Sequence, residues 1–345
     1  MAHLKQDSVA GQPIAVFGAY GHTGRFVVSE LRRRGSTPIL CGRDPEKLAT
    51  LGASHPGLQL RVASIDDPDA LDRALAGAAA VINCAGPFLD TAPALIEAAL
   101  RARIHYLDLA AEQGAVIATF ERFSTAARDA GIAVIPAMAF YGGLGDLLAT
   151  AAMGDWTEAD EIRIAIALDS WLPTRGTRLT GARNTAKRLV VSGNRLQAIA
   201  DPPPMRRWDF PAPFGAQEVV GLPLSEIITI SRHLRSPEIH AYMNLEPLKD
   251  LRDPDTPPPT PVDASGRSSQ KFLADVVVRK GGERRRAVAH GRDIYAVTAP
   301  LVVEAAVRLV TGSCETTGVA SAGQGFDARD FLASLKAEDI AIELD

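Results

Sequence analysis

A chain of 345 residues, 46% apolar and 23% charged, has the composition of an ordinary globular protein and the length for about two domains. A formal net charge of -4 excludes the basic surplus of a general nucleic-acid binder. No apolar run reaches the ~18 residues of a membrane span. The opening MAHLKQDSVAGQP is polar and without a signal-peptide core, and Cys41, Cys84 and Cys314 show no Cys-x-x-Cys spacing. Reduced cysteines and a cytoplasmic setting are the expectation.

The first 140 residues alternate between two patterns. The runs PIAVFG, TPILCG, QLRVAS, AAVINCAG, HYLDLA and IAVIPAMA have the length and apolarity of buried strands. Between them, GRFVVSELRRRG, TAPALIEAALRARI and ATFERFSTAARDAG repeat apolar residues every three to four positions, as amphipathic helices do. Repeated strand–helix–strand order predicts a parallel sheet wound by helices on both faces.

The first strand runs into GAYGHTG, residues 18–24. A glycine loop between a strand and a helix has the context of a dinucleotide fingerprint. Gly18 suits a tight turn, Gly21 close approach to a pyrophosphate, and Gly24 close helix packing. Thr23 adds a hydroxyl donor, and Tyr20 and His22 complete the loop. Arg25 and Phe26 stand where a P-loop needs Lys-Ser/Thr, which excludes that kind of ATP site.

The second strand ends at Gly42-Arg43, where NAD enzymes usually carry an acid for the ribose hydroxyls. An arginine suits a 2′-phosphate instead, so NADP is the expected cofactor. Asp44, ahead of Pro45, reads as a helix N-cap. Asp66 is a candidate for the adenine amino group, with Asp67 and Asp69 available as caps. The fourth strand ends in NCAGPF, placing Cys84, Ala85, Gly86, Pro87 and Phe88 on the nicotinamide side.

After about residue 140 the pattern changes. EIRIAIAL and EIITISRHL alternate as half-buried strands do, and KFLADVVVRKGGERRRAVAHG reads as a hairpin turning at Gly281-Gly282. Proline-rich loops separate these runs. Residues 141–296 are expected to form a mixed α+β domain, and 297–345, with APLVVEAAVRLVTG and DARDFLASLKAEDI, C-terminal helices that return to the first domain.

GAYGHTG, CGRDPEKL, VINCAGPF, HYLDLAAE and GRDIYAVTAPLVVEAA, in this order between residues 14 and 320, together resemble the saccharopine dehydrogenase-like oxidoreductases, including trans-acting enoyl reductases. The resemblance implies a Rossmann domain (1–140), an inserted substrate and dimerisation domain (141–296), rejoining C-terminal helices (297–345), a homodimer, and NADPH as hydride donor. It places the cofactor loop on Gly18, Gly21, Thr23 and Gly24, the 2′-phosphate arginine on Arg43, and the nicotinamide loop on residues 84–88. Two stretches depart from the family: Ala111 replaces a glycine in HYLDLAAE, and AFYGGLGD puts Tyr141 in place of an acid and Gly143 roughly in place of a proline.

Hydride transfer needs a group that answers the charge developing on the acceptor, and candidates belong at the C-terminal ends of the strands. Tyr141 is the first choice of proton donor, the alternative being a hydrophobic wall beside the nicotinamide. Asp108 is either a ribose or substrate contact or a structural cap, and Tyr106 is either catalytic or a core aromatic. Arg175, Thr177 and Arg183 either meet an anionic group or form a solvated face, and Asp146 reads as a helix cap. No tyrosine has lysine four residues on, which excludes the short-chain dehydrogenase pair, and the histidines lack metal-ligand spacing. The expectation is an NADP(H)-dependent reductase of a C=N or conjugated C=C bond in a small organic substrate. A non-catalytic NADP-binding redox sensor on the same fold is the alternative.

Overall fold

The structure is a computed structural model that describes residues 12–335 and 340–345. The signal-peptide reading of the first eleven residues lies outside the described residues. The N-terminal half runs β1 (Ile14–Phe17), α1 (His22–Arg33), β2 (Ile39–Gly42), α2 (Pro45–Ser54), β3 (Leu60–Val62), α3 (Pro68–Leu75), β4 (Ala80–Asn83), α4 (Phe88–Ala102), β5 (His105–Asp108), α5 (Gln113–Ala130) and β6 (Ala133–Ile135). All six expected strands are present. They pair in parallel in the order β3-β2-β1-β4-β5-β6. The order reverses between β1 and β4, and a crevice at the strand C-termini opens at such a switch point.

Local chemistry sets the element ends. Asp44 caps α2, its side chain accepting from the Lys47 amide, and Asp67 caps α3 through the Ala70 amide. Gly35, at φ +79°, follows the end of α1.

A tight turn over Phe140–Leu144, with non-helical backbone at Tyr141 and Gly142, leads into α6 (Gly145–Met153) and the second half. There follow β7 (Glu161–Leu168), α7 (Arg175–Arg183), β8 (Leu189–Ser192), β9 (Arg195–Ala198), β10 (Met205–Asp209), β11 (Ala216–Gly221), α8 (Ser225–Ser231), β12 (Ile239–Asn244), α9 (Glu246–Arg252), β13 (Lys271–Lys280) and β14 (Glu283–Arg292). These strands form a mixed sheet with the main order β10-β11-β12-β7-β13-β14, in which β7 and β12 run parallel. β13 and β14 are the expected hairpin, with Gly281 and Gly282 both at positive φ in its turn.

EIITISRHL, expected as a strand, is instead the helix α8. Ile227, Ile228 and Ile230 are all fully buried, between α5, α6, the 140–144 turn and β12. A helix enclosed on every side shows no polar face, and its packing overrides the strand preference of β-branched residues.

The tail returns through α10 (Thr298–Val310), which packs on α1. Val27, Val28 and Leu31 of α1 and Leu301, Val302 and Leu309 of α10 are buried, each contributing about 1.5–3 kcal/mol. An ion pair from Arg34 to Glu304 also joins the two helices. β15 (Gly318–Val319) then adds a strand beside β6, and α11 (Ala322–Gly325) and α12 (Ala328–Ser334) pack on α6. The helix expected over 327–340 is shorter. Its 336–339 portion lies outside the described residues, and Ile340 begins β16 (Ile340–Leu344), which pairs with β14. Among the described residues no helix is long and apolar enough to cross a membrane.

Candidate active site

The glycine loop closes tightly at the switch point. Gly18 has φ +79°, and a Cβ there would meet Ala85 at 3.0 Å. A Cβ on Gly24 would stand 2.3 Å from the Gly18 carbonyl oxygen, so α1 reaches this close to the loop only with glycine. Gly21 is the N-cap of α1 and supplies no side-chain cap, and the first turn of the helix carries no acid. Uncapped first-turn amides and the helix dipole form an anion seat. His22 lies edge-on to Phe26 and Tyr295, and its buried Nε2 has no hydrogen-bond partner among the described residues. Burial pushes its pKa down, favouring the neutral ring.

Beside this seat, Tyr20 lies over Gly42, where a Cβ would be 2.5 Å from its ring, and its hydroxyl accepts from the Asp44 amide at 3.2 Å. The Arg43 side chain is exposed, and it has no ion pair among the described residues. Asp66 is exposed and accepts from the Ser64 hydroxyl at 3.2 Å.

On the other side of the switch point, the 83–88 segment is anchored from below. Asn83 Oδ1 accepts from the Ala85 amide at 3.0 Å, and the Ala85 carbonyl accepts from the Thr91 hydroxyl at 2.6 Å. Asn83 Nδ2 donates to the Tyr106 hydroxyl at 3.2 Å, and that hydroxyl donates to Asp108 Oδ2 at 3.0 Å. Asp108 Oδ1 accepts from the amides of Ala110 (3.0 Å) and Ala137 (2.7 Å). A buried polar chain therefore links the 83–88 loop to the segment leading to Tyr141. Burial pushes the Asp108 pKa up, opposed by the two amides and the phenol.

This geometry corrects the expected roles of Tyr106 and Asp108. Both are fully enclosed and neither lines the cavity described below. Strand β5 lies inside a sheet covered on both faces, so its alternate side chains enter helix layers rather than the crevice. Tyr106 belongs to the same buried apolar cluster as Ala92, Leu95 and Phe123. Asp146 is likewise not a cap: its carboxylate meets His233 Nε2 at 2.7 Å and accepts from the Gly323 amide at 2.9 Å.

A cavity of about 430 Å³ begins at the cofactor side, with Thr23, Cys84, Gly86 and Phe88 in its wall, and extends to Trp171, Arg188 and Leu224. Phe140, Tyr141 and Tyr295 join Phe88 and Trp171 as its aromatic lining, among threonine, glycine and aliphatic residues. Tyr141 stacks on Trp171 with ring centroids 5.6 Å apart. Its hydroxyl is enclosed and has no hydrogen-bond partner among the described residues. Burial first, then the neighbouring Tyr295 and Glu226, push its pKa well above the ordinary phenol value.

Helix α7 forms one side of this cavity although none of its residues is buried. Thr174 caps it, and the Tyr295 hydroxyl bonds Thr177 Oγ1 at 2.9 Å and accepts from Trp171 Nε1 at 3.1 Å. Arg183 pairs with Asp90 of α4 at 3.0 Å, which ties α7 across to the first half. Arg175 is solvated.

Residues 14–135 match the family described as the saccharopine dehydrogenase NADP binding domain. That segment is similar to the family, and NADP is the cofactor that the match supports. The saccharopine dehydrogenase-like oxidoreductases of Bos taurus and Homo sapiens are 27% and 28% identical to the chain, each over 145 residues. Each match covers 37% of this chain and 34% of the relative. The chain thus spans about a third of the length of the curated relatives it matches. Over 97% of its length it shares the fold of apo saccharopine dehydrogenase (L-Glu forming) from Saccharomyces cerevisiae, at TM-score 0.68 and 12% identity, covering 100% of that chain.

The features of this N-terminal segment fit a dinucleotide: an uncapped helix start, glycines that leave room where a Cβ would clash, and an exposed arginine at the end of β2. The roles of three cavity residues were not legible in the sequence. Glu112 is buried, and its two oxygens accept from the Phe88 (2.9 Å) and Ala111 (3.2 Å) amides, so it caps α4 and holds the 83–88 loop. Its place after a strand was visible, but not its partner 24 residues away. Arg188 and Tyr295 enter the cavity from distant parts of the chain and left no local signal.

Proposed function

We propose that the chain is an NADP(H)-dependent reductase that reduces a C=N or conjugated C=C bond of a small organic substrate, with Tyr141 as proton donor. The supporting observation is the Tyr141 hydroxyl: enclosed, without a hydrogen-bond partner among the described residues, and set in the wall of a cavity that starts beside the glycine loop. When bound, NADPH supplies a hydride from its nicotinamide ring. The first-turn amides of α1 and the loop around Gly18, Tyr20, Gly21, His22, Thr23 and Gly24 hold the pyrophosphate. Arg43 holds the 2′-phosphate, and Asp66 stands on the adenine side. Cys84, Ala85, Gly86, Pro87 and Phe88 back the nicotinamide.

Phe140, Tyr141, Trp171 and Tyr295 place ring surface beside the acceptor and reduce its contact with water. Arg188 adds positive charge to the far wall. That charge favours an acceptor that turns anionic as it is reduced, as a carbonyl-conjugated C=C bond does, over a cationic iminium. Asp108 and Tyr106 act from below as positioning groups. Assembly as a homodimer belongs to the same proposal.

The test is NADPH oxidation with enoyl, imine and simple carbonyl substrates, for the wild type and Tyr141→Phe. Turnover with one class, reduced about 100-fold in the variant at unchanged NADPH affinity, is the expected result. NADPH binding without turnover in any class would overturn it and support the redox-sensor reading.

A further inference from the structure

Behind the cavity wall, beside Tyr141 and Arg188, stand two polar residues that the proposal above leaves unused, Ser225 and Glu226. Glu226, in the first turn of α8, is 1% exposed. Its Oε1 accepts from the Leu224 amide at 2.8 Å, but its enclosed Oε2 has no partner among the described residues. The hydroxyls of Tyr141 and Ser225 are enclosed and unpartnered in the same way. The segments that carry them touch: a Cβ on Gly142 would stand 2.8 Å from Ser225 Oγ, and one on Gly145 3.3 Å from Glu226 Cβ. Arg188 completes the cluster. Its Nη1 donates to the Pro223 carbonyl at 3.2 Å, and its charge reaches both Glu226 and Tyr141 without an ion pair within 4 Å among the described residues. A buried polar group left unsatisfied costs about 1–3 kcal/mol, so several together call for an explanation.

We propose that Glu226 is the proton reservoir of this site: it holds the proton that replaces the one Tyr141 gives to the substrate. This rests on the reductase reading. As the substrate accepts hydride at one end of its double bond, the electron pair left at the other end takes the Tyr141 proton, and the Tyr141 O–H bond breaks. A water between Tyr141 and Glu226 Oε2 relays the carboxyl proton, so the phenol re-forms and the carboxylate remains facing Arg188. A proton from solvent restores the carboxyl group. Substrate gains one hydride and one proton, and the protein ends unchanged.

The phenol alone is a poor source, because its pKa stands well above the ordinary value. Burial instead pushes the Glu226 carboxyl up to about 7, where a group both holds and releases protons near neutrality. Among the described residues, Tyr141 from the 140–144 turn and Arg188 ahead of β8 are the charged or titratable groups whose charge reaches it. Other such groups on elements packed against α8 are engaged or solvated. Asp146 of α6 is joined to His233, Glu112 at the start of α5 to two amides, and His240 of β12 to Glu238. The remaining charged residues of α5 are exposed.

Two measurements test this. In the first, kcat for NADPH oxidation is followed against pH. The wild type should lose activity as pH rises through about 7. Glu226→Gln should lower kcat about 10- to 100-fold at pH 6 and abolish that limb, with NADPH affinity unchanged. Glu226→Asp should keep the limb. Arg188→Met should move it to higher pH, since the guanidinium lowers the carboxyl pKa. In the second, infrared difference spectra of the protein without substrate should show a protonated-carboxyl band that fades as pH rises through about 7 and is missing in Glu226→Gln. A Glu226→Gln enzyme with wild-type kcat and pH profile, or a band indifferent to the substitution, overturns the role of Glu226. Absence of turnover with every substrate overturns the reductase reading itself, and the wild-type assay shows that separately.

Discussion

Asp108 Oδ1 accepts the Ala137 amide at 2.7 Å, joining the end of β5 to the segment that carries Tyr141. Ala137 holds an unusual backbone, at φ 58°, and its carbonyl accepts from the amides of Ala139 (2.8 Å) and Gly143 (2.7 Å). One carboxylate therefore fixes the residue around which the Tyr141 turn is folded. In Asp108→Asn an amide NH₂ faces a backbone N–H or the phenol, whichever way it turns. The expected loss is about 2–4 kcal/mol in urea unfolding. Turnover should fall more than NADPH affinity, because the disturbed loop is that of Tyr141.

Tyr141→Phe separates stability from function. The hydroxyl it removes is buried and makes no hydrogen bond among the described residues. Stability should hold or rise by up to about 1 kcal/mol while turnover falls. A loss of more than about 1 kcal/mol would show that the hydroxyl has a structural partner after all.

Arg43→Glu tests the assignment of the 2′-phosphate. An exposed guanidinium becomes a carboxylate, so attraction turns to repulsion for NADPH but not for NADH. The Kd for NADPH should rise about 100-fold, and that for NADH less than about 5-fold, with the contrast shrinking at high salt. Equal losses for both would remove Arg43 from the phosphate site.

Much of the first half was legible because its signals are local. IAVF, ILCG and AVIN are fully buried short strands, and their glycine and proline punctuation survives in the structure. The chemistry across the cleft was less legible because it is assembled from distant segments. Tyr141 could be placed after β6, but the absence of a partner for its hydroxyl depends on α8 and on Arg188. Asp108 and Tyr106 have the residue types of an active site at the correct end of a strand. Only the covering helices show that they support the floor. β15 has two residues, too few for any periodicity, and α8 shows that burial on all sides erases the pattern that distinguishes helix from strand.

Glu226 also predicts how stability depends on pH. Its pKa rises from 4.5 to about 7 on folding. Below about pH 4.5 the carboxyl is protonated folded or unfolded, and burial carries no ionisation penalty. Between these values the unfolded chain releases the proton while the folded chain keeps it, so folding stability declines as pH rises. Above about 7 the decline stops, at a total of about 3 kcal/mol. Glu226→Gln lacks the titrating group. Histidines such as His22, whose lowered pKa gives the opposite slope, are common to both proteins and cancel in the comparison. Urea unfolding at pH 5 and pH 8 should therefore show the stability of wild type relative to Glu226→Gln falling by roughly 2–3 kcal/mol over that range. A difference constant within about 0.5 kcal/mol would mean that the carboxyl titrates at its ordinary value and reaches water.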